Sequence, residues 1–233
     1  MKNILIVHPT RGRPEQAKKI YDNITSLKSP ENTITYIMAV DNDDPELAGY
    51  RALPKEIQII TGDNNGCVAA ANSAYDRDLI ARHDFVILAS DDIYFPANWD
   101  IELIKVFDEV GYDKAIKTTN QFQGDLDLLN LQIGGSQFFL DYGTFFWPEY
   151  VSVYADQDIT YWAKKNGRYI QARHLLFPHM QYSLSMPKEI TDVYGAIPHM
   201  DETYERENRN SSYELGSQIF ARRSAEGFPS KTA

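Results

Sequence analysis

Two adjacent carboxylates, Asp91 and Asp92, stand where the apolar run Phe85-Val-Ile-Leu-Ala89 stops abruptly. Neighbouring anions repel unless a cation joins them, so the pair suits a divalent metal held by oxygen and, beyond it, an anionic substrate. The run is too short to span a membrane and reads as a buried strand. Open α/β sheets take their ligands at strand carboxyl ends, which is where both aspartates would sit. A plainer reading makes them an N-cap and a solvated charge ahead of Pro96.

Three other places collect chemistry. Pro9-Thr10-Arg11-Gly12-Arg13-Pro14 offers a hydroxyl, two guanidiniums and a following helix N-terminus, a set that suits a nucleotide or an ordinary solvated loop. Asp41-Asn42-Asp43 follows a second apolar run; a carboxylate there can accept hydrogen bonds from a ribose or a base, and turn chemistry before Pro45 explains it equally well. Asp156 and Asp158 open a helix whose dipole they complement, and one of them, beside a reacting hydroxyl, would be a general base. His8, His174 and His199 read as packed or surface histidines, since nothing at metal-ligand spacing accompanies them. Cys67 reads as a small packing residue; Trp147, Tyr150, Tyr154 and Trp162 suit the core, while Phe145-Phe146-Trp147 also offers aromatic faces for a sugar or base.

The elements that would carry these residues alternate. Strands are expected at Asn3–His8, Thr33–Val40, Ile57–Thr61 and Phe85–Ala89. Helices are expected at Pro14–Leu27, Cys67–Arg82 and Trp99–Val110, so strand and helix recur as in a parallel sheet with crossovers. After about Thr118 the pattern changes: Asn120–Asn130 is turn-prone, Leu131–Phe139 is strand-like, Asp156–Asn166 is helical and Arg168–Arg173 forms a further strand. The last thirty or so residues hold few large apolar groups, an expectation of partial mobility.

Composition bounds the possibilities. The 233 residues, 43% hydrophobic and 24% charged, can bury one sizeable core. The formal charge of −10 argues against a broad nucleic-acid face, although the stretch from Glu202 onward is neutral, with five acidic and five basic residues. One cysteine excludes an internal disulfide, and no apolar stretch reaches membrane-helix length. The expected location is cytoplasmic.

The order of the motifs is the specific signal. Pro-Thr-Arg-Gly-Arg-Pro, Val-Asp-Asn-Asp, Asn-Asn-Gly-Cys-Val-Ala-Ala-Ala-Asn-Ser-Ala, Ser-Asp-Asp and Asp-Gln-Asp-Ile…Gly-Arg-Tyr-Ile together resemble the GT-A glycosyltransferases, particularly the inverting family-2 type, over roughly residues 3–182. The resemblance implies a single α/β, Rossmann-like GT-A domain over residues 1–233, with a mixed central sheet, flanking helices and an acceptor-side subregion. Its nucleotide-sugar half would run over about 1–118, its acceptor and catalytic half over about 119–200, and its tail over about 201–233.

Roles follow from the same resemblance. Pro9, Thr10 and Arg13 would line the nucleotide, Asp41 would contact base or ribose, and Asn72 with the Gly66 turn would pack beside the donor. Ser90-Asp91-Asp92 matches the Asp-x-Asp motif with serine at its first position; Asp92 would ligate Mn2+ or Mg2+, and Asp91 would contact ribose or metal-bound water. Asp156 would be the catalytic base with Asp158 its rival, and His179 would be a late metal ligand. Arg206, Arg209, Arg222 and Arg223 would close over the diphosphate, or stand as exposed surface arginines, which is the plainer reading. The implied reaction moves a hexose or pentose from a nucleotide-diphosphate donor, UDP or a relative, to a hydroxyl of a glycan or of a modified DNA base. Clustered aspartates also serve a metal nuclease or phosphoryl-transfer enzyme, and a non-catalytic nucleotide or carbohydrate-binding module is the third reading.

Overall fold

The structure is a computed structural model that describes residues 1–63, 66–120, 126–180, 188–194, 205 and 209–232. Seven strands form one mixed sheet in the order β3-β2-β1-β4-β6-β5-β7: β1 (Asn3–Thr10), β2 (Thr33–Asp41), β3 (Ile57–Gly62), β4 (Phe85–Leu88), β5 (Ala115–Thr119), β6 (Gln132–Gly135) and β7 (Tyr169–Leu176). β1, β2, β3 and β4 run parallel, β6 lies antiparallel between β4 and β5, and β7 is parallel to β5.

The apolar runs are continuous because helices cover both sheet faces. Successive side chains alternate between faces. Ile4, Ile6, Phe85 and Ile87 therefore join one core with Ile20, Ile24, Trp99, Leu103 and Phe107. Leu5, Val7, Val86 and Leu88 join the other with Phe138, Phe139, Ile159 and Trp162. The described helices are α1 (Pro14–Ser26), α2 (Leu47–Arg51), α3 (Cys67–Ser73), α4 (Arg77–Ala81), α5 (Trp99–Val110), α6 (Ser136–Tyr142), α7 (Ala155–Lys165), α8 (Lys188–Tyr194) and α9 (Asn210–Ala225). Among the described residues no helix is long and apolar enough to cross a membrane.

Three expectations are corrected and one strand is added. The single helix over Cys67–Arg82 is two helices, because the Asp76 side chain accepts from Leu79 N–H at 2.9 Å and caps a new start. The strand-like Leu131–Phe139 ends at Gly135, where an added Cβ would lie 2.0 Å from the Tyr112 carbonyl oxygen; the chain turns there into α6. β5 carries no apolar-run signal, because Lys117 and Thr118 are polar residues in a buried strand. The tail carries the 16-residue α9, which is docked, with Arg223 fully buried. Asn64, Asn65, Arg206, His199 and residues 121–125 of the Asn120–Asn130 turn lie outside the described residues.

Candidate active site

The parallel register sets the first half of the site. Val7 pairs with Leu88, and Ala89 N–H donates to the Val7 carbonyl at 2.8 Å, so the residues after β4 run on beside His8–Thr10. β1 lies between β2 and β4, the point where crossovers diverge and leave a crevice. Asp91 sits in that crevice, buried, and both its oxygens are engaged. His8 Nε2 lies 3.0 Å from Oδ1, and Thr10 Oγ1 lies 3.1 and 3.0 Å from the two oxygens. Arg13 Nη1 is 3.5 Å from Oδ2. His8 is itself held at Nδ1 by the Tyr36 hydroxyl at 2.8 Å.

His8 was read from sequence as a packed histidine. It is packed, and it is also the residue that orients Asp91. The signal for this was its place on the same strand face as Thr10, two residues on.

Asp92 has different partners. A short antiparallel pairing brings residues 178–180 against 92–94: Met180 N–H donates to the Asp92 carbonyl at 2.7 Å and Tyr94 N–H to the Pro178 carbonyl at 2.9 Å. That pairing sets His179 Nε2 3.1 Å from Asp92 Oδ2, while Ser90 Oγ donates to Asp92 Oδ1. Burial opposes ionisation of Asp92, but His179, the Ser90 hydroxyl and Arg13 together hold its carboxyl well below the usual range. For His179, burial disfavours the charged ring and Asp92 outweighs it, so its pKa rises.

Two donors about 2.1 Å from a common ion at a right angle stand about 3 Å apart, so the Asp92–His179 spacing fits joint ligation. His179 Nδ1 is buried with no hydrogen-bond partner among the described residues. No group of three or more His, Cys, Asp or Glu is arranged around one point among those residues, so substrate oxygens and water would complete the shell.

The nucleotide-side residues cluster as one loop system. Arg11 Nη1 donates to Asp41 Oδ2 at 2.9 Å and to Asp43 Oδ1 at 2.6 Å. Gly12 N–H donates to Asp44 Oδ2 at 2.8 Å, and Arg13 N–H to the Tyr50 hydroxyl at 2.8 Å. Thr10 Oγ1 also meets that hydroxyl at 3.0 Å. Pro9 is half-buried near the end of β1. The structure thus brings Pro9, Thr10, Arg13, Asp41, Asp91, Asp92 and His179 to the carboxyl ends of β1, β2 and β4.

Asn72 does different work from the donor-side role expected of it. Its Oδ1 accepts from Thr144 Oγ1 and Phe146 N–H, both at 2.9 Å, and its Nδ2 donates to the Phe146 carbonyl at 2.9 Å. It fastens the aromatic segment onto α3. Phe145 is in the core against Tyr75 and Phe139, which removes it from any sugar-facing wall; Phe146 and Trp147 remain half-buried. Gly66 precedes α3 at φ +88°, and a Cβ there would lie 2.5 Å from the Val151 carbonyl oxygen.

Asp156 and Asp158 share the first turn of α7 and have opposite surroundings. Asp156 is half-buried, and its Oδ1 accepts only from the adjacent Gln157 N–H, at 2.8 Å, among the described contacts. Burial pushes its carboxyl up, against the nearby N–H groups and Lys117. Asp158 is fully buried; Arg223 grips it from Nε and Nη2 at 2.8 and 2.9 Å, and the Tyr142 and Tyr150 hydroxyls donate at 2.8 and 3.1 Å. With both oxygens so committed and no exposure, Asp158 has no route to an acceptor hydroxyl. Arg222 lies on the surface paired with Glu149 at 2.7 Å, and Arg223 is committed to Asp158.

No family model and no curated protein sequence matches the chain. Solved structures do. S. aureus TarS is similar at 15% identity and a TM-score of 0.57 over 96% of this chain, and the chain spans 43% of that TarS chain. The mannosyltransferase PcManGT from Pyrobaculum calidifontis, solved with GDP-Man and Mn2+, gives 11% identity and a TM-score of 0.56 over 95% of this chain and 75% of its own. Glucosyl-3-phosphoglycerate synthase from Mycobacterium tuberculosis, solved with Mn2+, UDP and phosphoglyceric acid, gives 9% and 0.53 over 83% of this chain and 75% of its own. At such identities the likeness shows the fold. The chain has a mixed α/β, Rossmann-like fold similar to that of these three structures.

Proposed function

We propose that the chain is a metal-dependent glycosyltransferase that transfers a sugar from a nucleotide-diphosphate donor to an acceptor hydroxyl with inversion. The observation that carries this reading is the meeting of Asp92 with His179 at 3.1 Å, in the crevice that also holds Thr10, Arg13 and Asp41. Asp92 and His179 would hold the divalent ion; one carboxylate with one imidazole suits Mn2+ better than Mg2+. When bound, that ion supplies Lewis-acid stabilisation of the leaving diphosphate.

The remaining work falls to the protein. Asp41 would accept a hydrogen bond from the base or ribose, with Arg11 exchanging partners as the nucleotide enters. Arg13, half exposed beside Asp91, would reach the phosphates. Asp91, held by His8 and Thr10, would keep the donor loop in register and offer an oxygen to the ribose. Asp156 would take the proton from the acceptor hydroxyl as it attacks the anomeric carbon from the face opposite the diphosphate. A carboxyl raised by burial is a stronger base for that step than a solvated one. A glycan is the first acceptor class to test, with a modified DNA base second, because the net charge of −10 disfavours a polyanion.

The nuclease reading has less support. Two-metal chemistry needs several carboxylates converging on the ions, and Asp91 is already committed to His8, Thr10 and Arg13. The test is release of nucleotide diphosphate from a panel of UDP- and GDP-sugars with Mn2+, and from a phosphodiester. Release from a nucleotide sugar that Asp92→Asn abolishes supports transfer; phosphodiester cleavage lost in the same variant contradicts it.

A further inference from the structure

On the reading just given, the site has a donor side at Asp92 and His179 and a base side at Asp156, and a buried cation is bonded toward both. Lys117 on β5 is 1% exposed, and its ammonium donates to Asn120 Oδ1 at 3.1 Å and Asn130 Oδ1 at 2.9 Å. Two hydrogen-bonded paths lead away from it. In the first, the Asn120 carbonyl accepts His179 N–H at 2.9 Å, and Asn120 Nδ2 donates to the Phe177 carbonyl at 3.3 Å. In the second, Leu129, next to Asn130, donates its N–H to Thr160 Oγ1 at 2.9 Å, and that hydroxyl donates to the Asp156 carbonyl at 2.6 Å.

Removing an ammonium from water is unfavourable unless it is paired and hydrogen-bonded, so an apolar side chain would fill this strand position at lower cost. We propose that Lys117 is a positioning residue shared by both sides of the site: it braces the segment that presents His179 and the loop that supports the Asp156 helix, and it sets the field in which the Asp156 carboxylate works. The proposal rests on Asp156 being the base.

The electrostatics run the same way. Burial is the largest influence on Asp156 and raises its pKa; among the described residues, Lys117 from β5 is the charge that opposes it, alongside the N–H groups of Asp156 and Gln157 on its own helix. A lysine at this point favours an ionised base.

The experiment is a carboxyl-carbon NMR titration of Asp156 in the full chain, assigned by the signal that Asp156→Asn removes. Lys117→Met and Lys117→Gln are expected to raise the Asp156 midpoint, and Lys117→Arg to leave it close to the wild-type value. Lys117→Gln keeps an amide for the two asparagines, so it reports on the charge even where Lys117→Met fails to fold. An Asp156 midpoint that does not move in a folded, charge-free variant overturns the proposal and leaves Lys117 a packing residue. The readout needs no donor. A wild-type chain that binds neither UDP nor GDP with Mn2+ by calorimetry contradicts the proposed function, and the titration still decides the case of Lys117.

Discussion

Arg223 meets Asp158 through two parallel hydrogen bonds, Nε to Oδ2 at 2.8 Å and Nη2 to Oδ1 at 2.9 Å, with both side chains fully buried. The Arg223 guanidinium also lies 3.5 Å from the Trp147 ring centroid. The contact fastens α9 to the helix that presents Asp156. Removing one partner strands a buried charge, so Arg223→Met or Asp158→Asn is expected to cost about 3–5 kcal/mol in urea unfolding. Asp158→Leu with Arg223→Met, which removes both charges, is expected to recover part of that loss. Truncation after Met200 removes Arg223 and is expected to unfold the domain, where a mobile tail closing over the donor would have left it folded. Single variants within about 1 kcal/mol of wild type would contradict this role.

Asn72 makes three hydrogen bonds to Thr144 and Phe146. Asn72→Ala leaves those groups without partners and is expected to destabilise the fold by about 2–3 kcal/mol, measured by thermal or urea unfolding. Affinity for a nucleotide diphosphate is expected to stay within about threefold, since this side chain is turned to the aromatic segment. A large loss of affinity at unchanged stability would restore Asn72 to the donor side.

Asp156→Asn separates function from stability. As general base, its loss is expected to lower transfer by about 10²–10⁴-fold with donor binding intact. The stability sign is opposite. Asp156 has a folded pKa raised by burial, so the native state binds its proton more tightly than the unfolded chain does. Stability from this group is therefore greatest at low pH and falls as pH rises through the folded pKa. The neutral asparagine escapes that penalty, so the variant is expected to be at least as stable as wild type at pH 7 and to lose the advantage near pH 3.

Asp92 and His179 impose their own pH dependence. The depressed Asp92 contributes stability above the ordinary carboxylate pKa near about 4, and loses it as pH falls through its lowered value. The raised His179 contributes fully below about 6.5 and loses it as pH rises through its own value. The metal-free pair is expected to stabilise most between about pH 4 and 6.5, seen as the pH profile of the difference in Tm between wild type and His179→Ala. Metal ligation needs the neutral ring, so Mn2+ affinity is expected to climb as pH rises through the raised His179 pKa. A Mn2+ affinity flat across that range would remove His179 from the ligand set.

The half of the chain before about Thr118 was legible because its runs are short, apolar and regularly interrupted, and because the aspartates sit at strand ends. Trp99–Val110 was read with the boundaries the structure has. What escaped reading was polar and buried. Lys117 hid β5, the Asp76 cap divided a helix that propensity alone joined, and α9 carried too few large apolar residues to announce a docked helix. Its attachment depends on an arginine and an aspartate 65 residues apart, and no local pattern shows such a pairing. The neighbourhood of Asp156 and Asp158 was visible as a helix start, but only the fold shows that one side chain is committed to Arg223 and the other is not.

The most direct measurement is Mn2+ binding followed by electron paramagnetic resonance, with and without UDP or GDP, in wild type, Asp92→Asn and His179→Ala. In wild type, one of the two nucleotides is expected to create a tight Mn2+ site, and each substitution to weaken it by at least about tenfold while the fold persists. Mn2+ that gains no affinity from either nucleotide, or a site that both substitutions leave intact, would contradict the assignment of Asp92 and His179 as the pair that anchors a sugar donor.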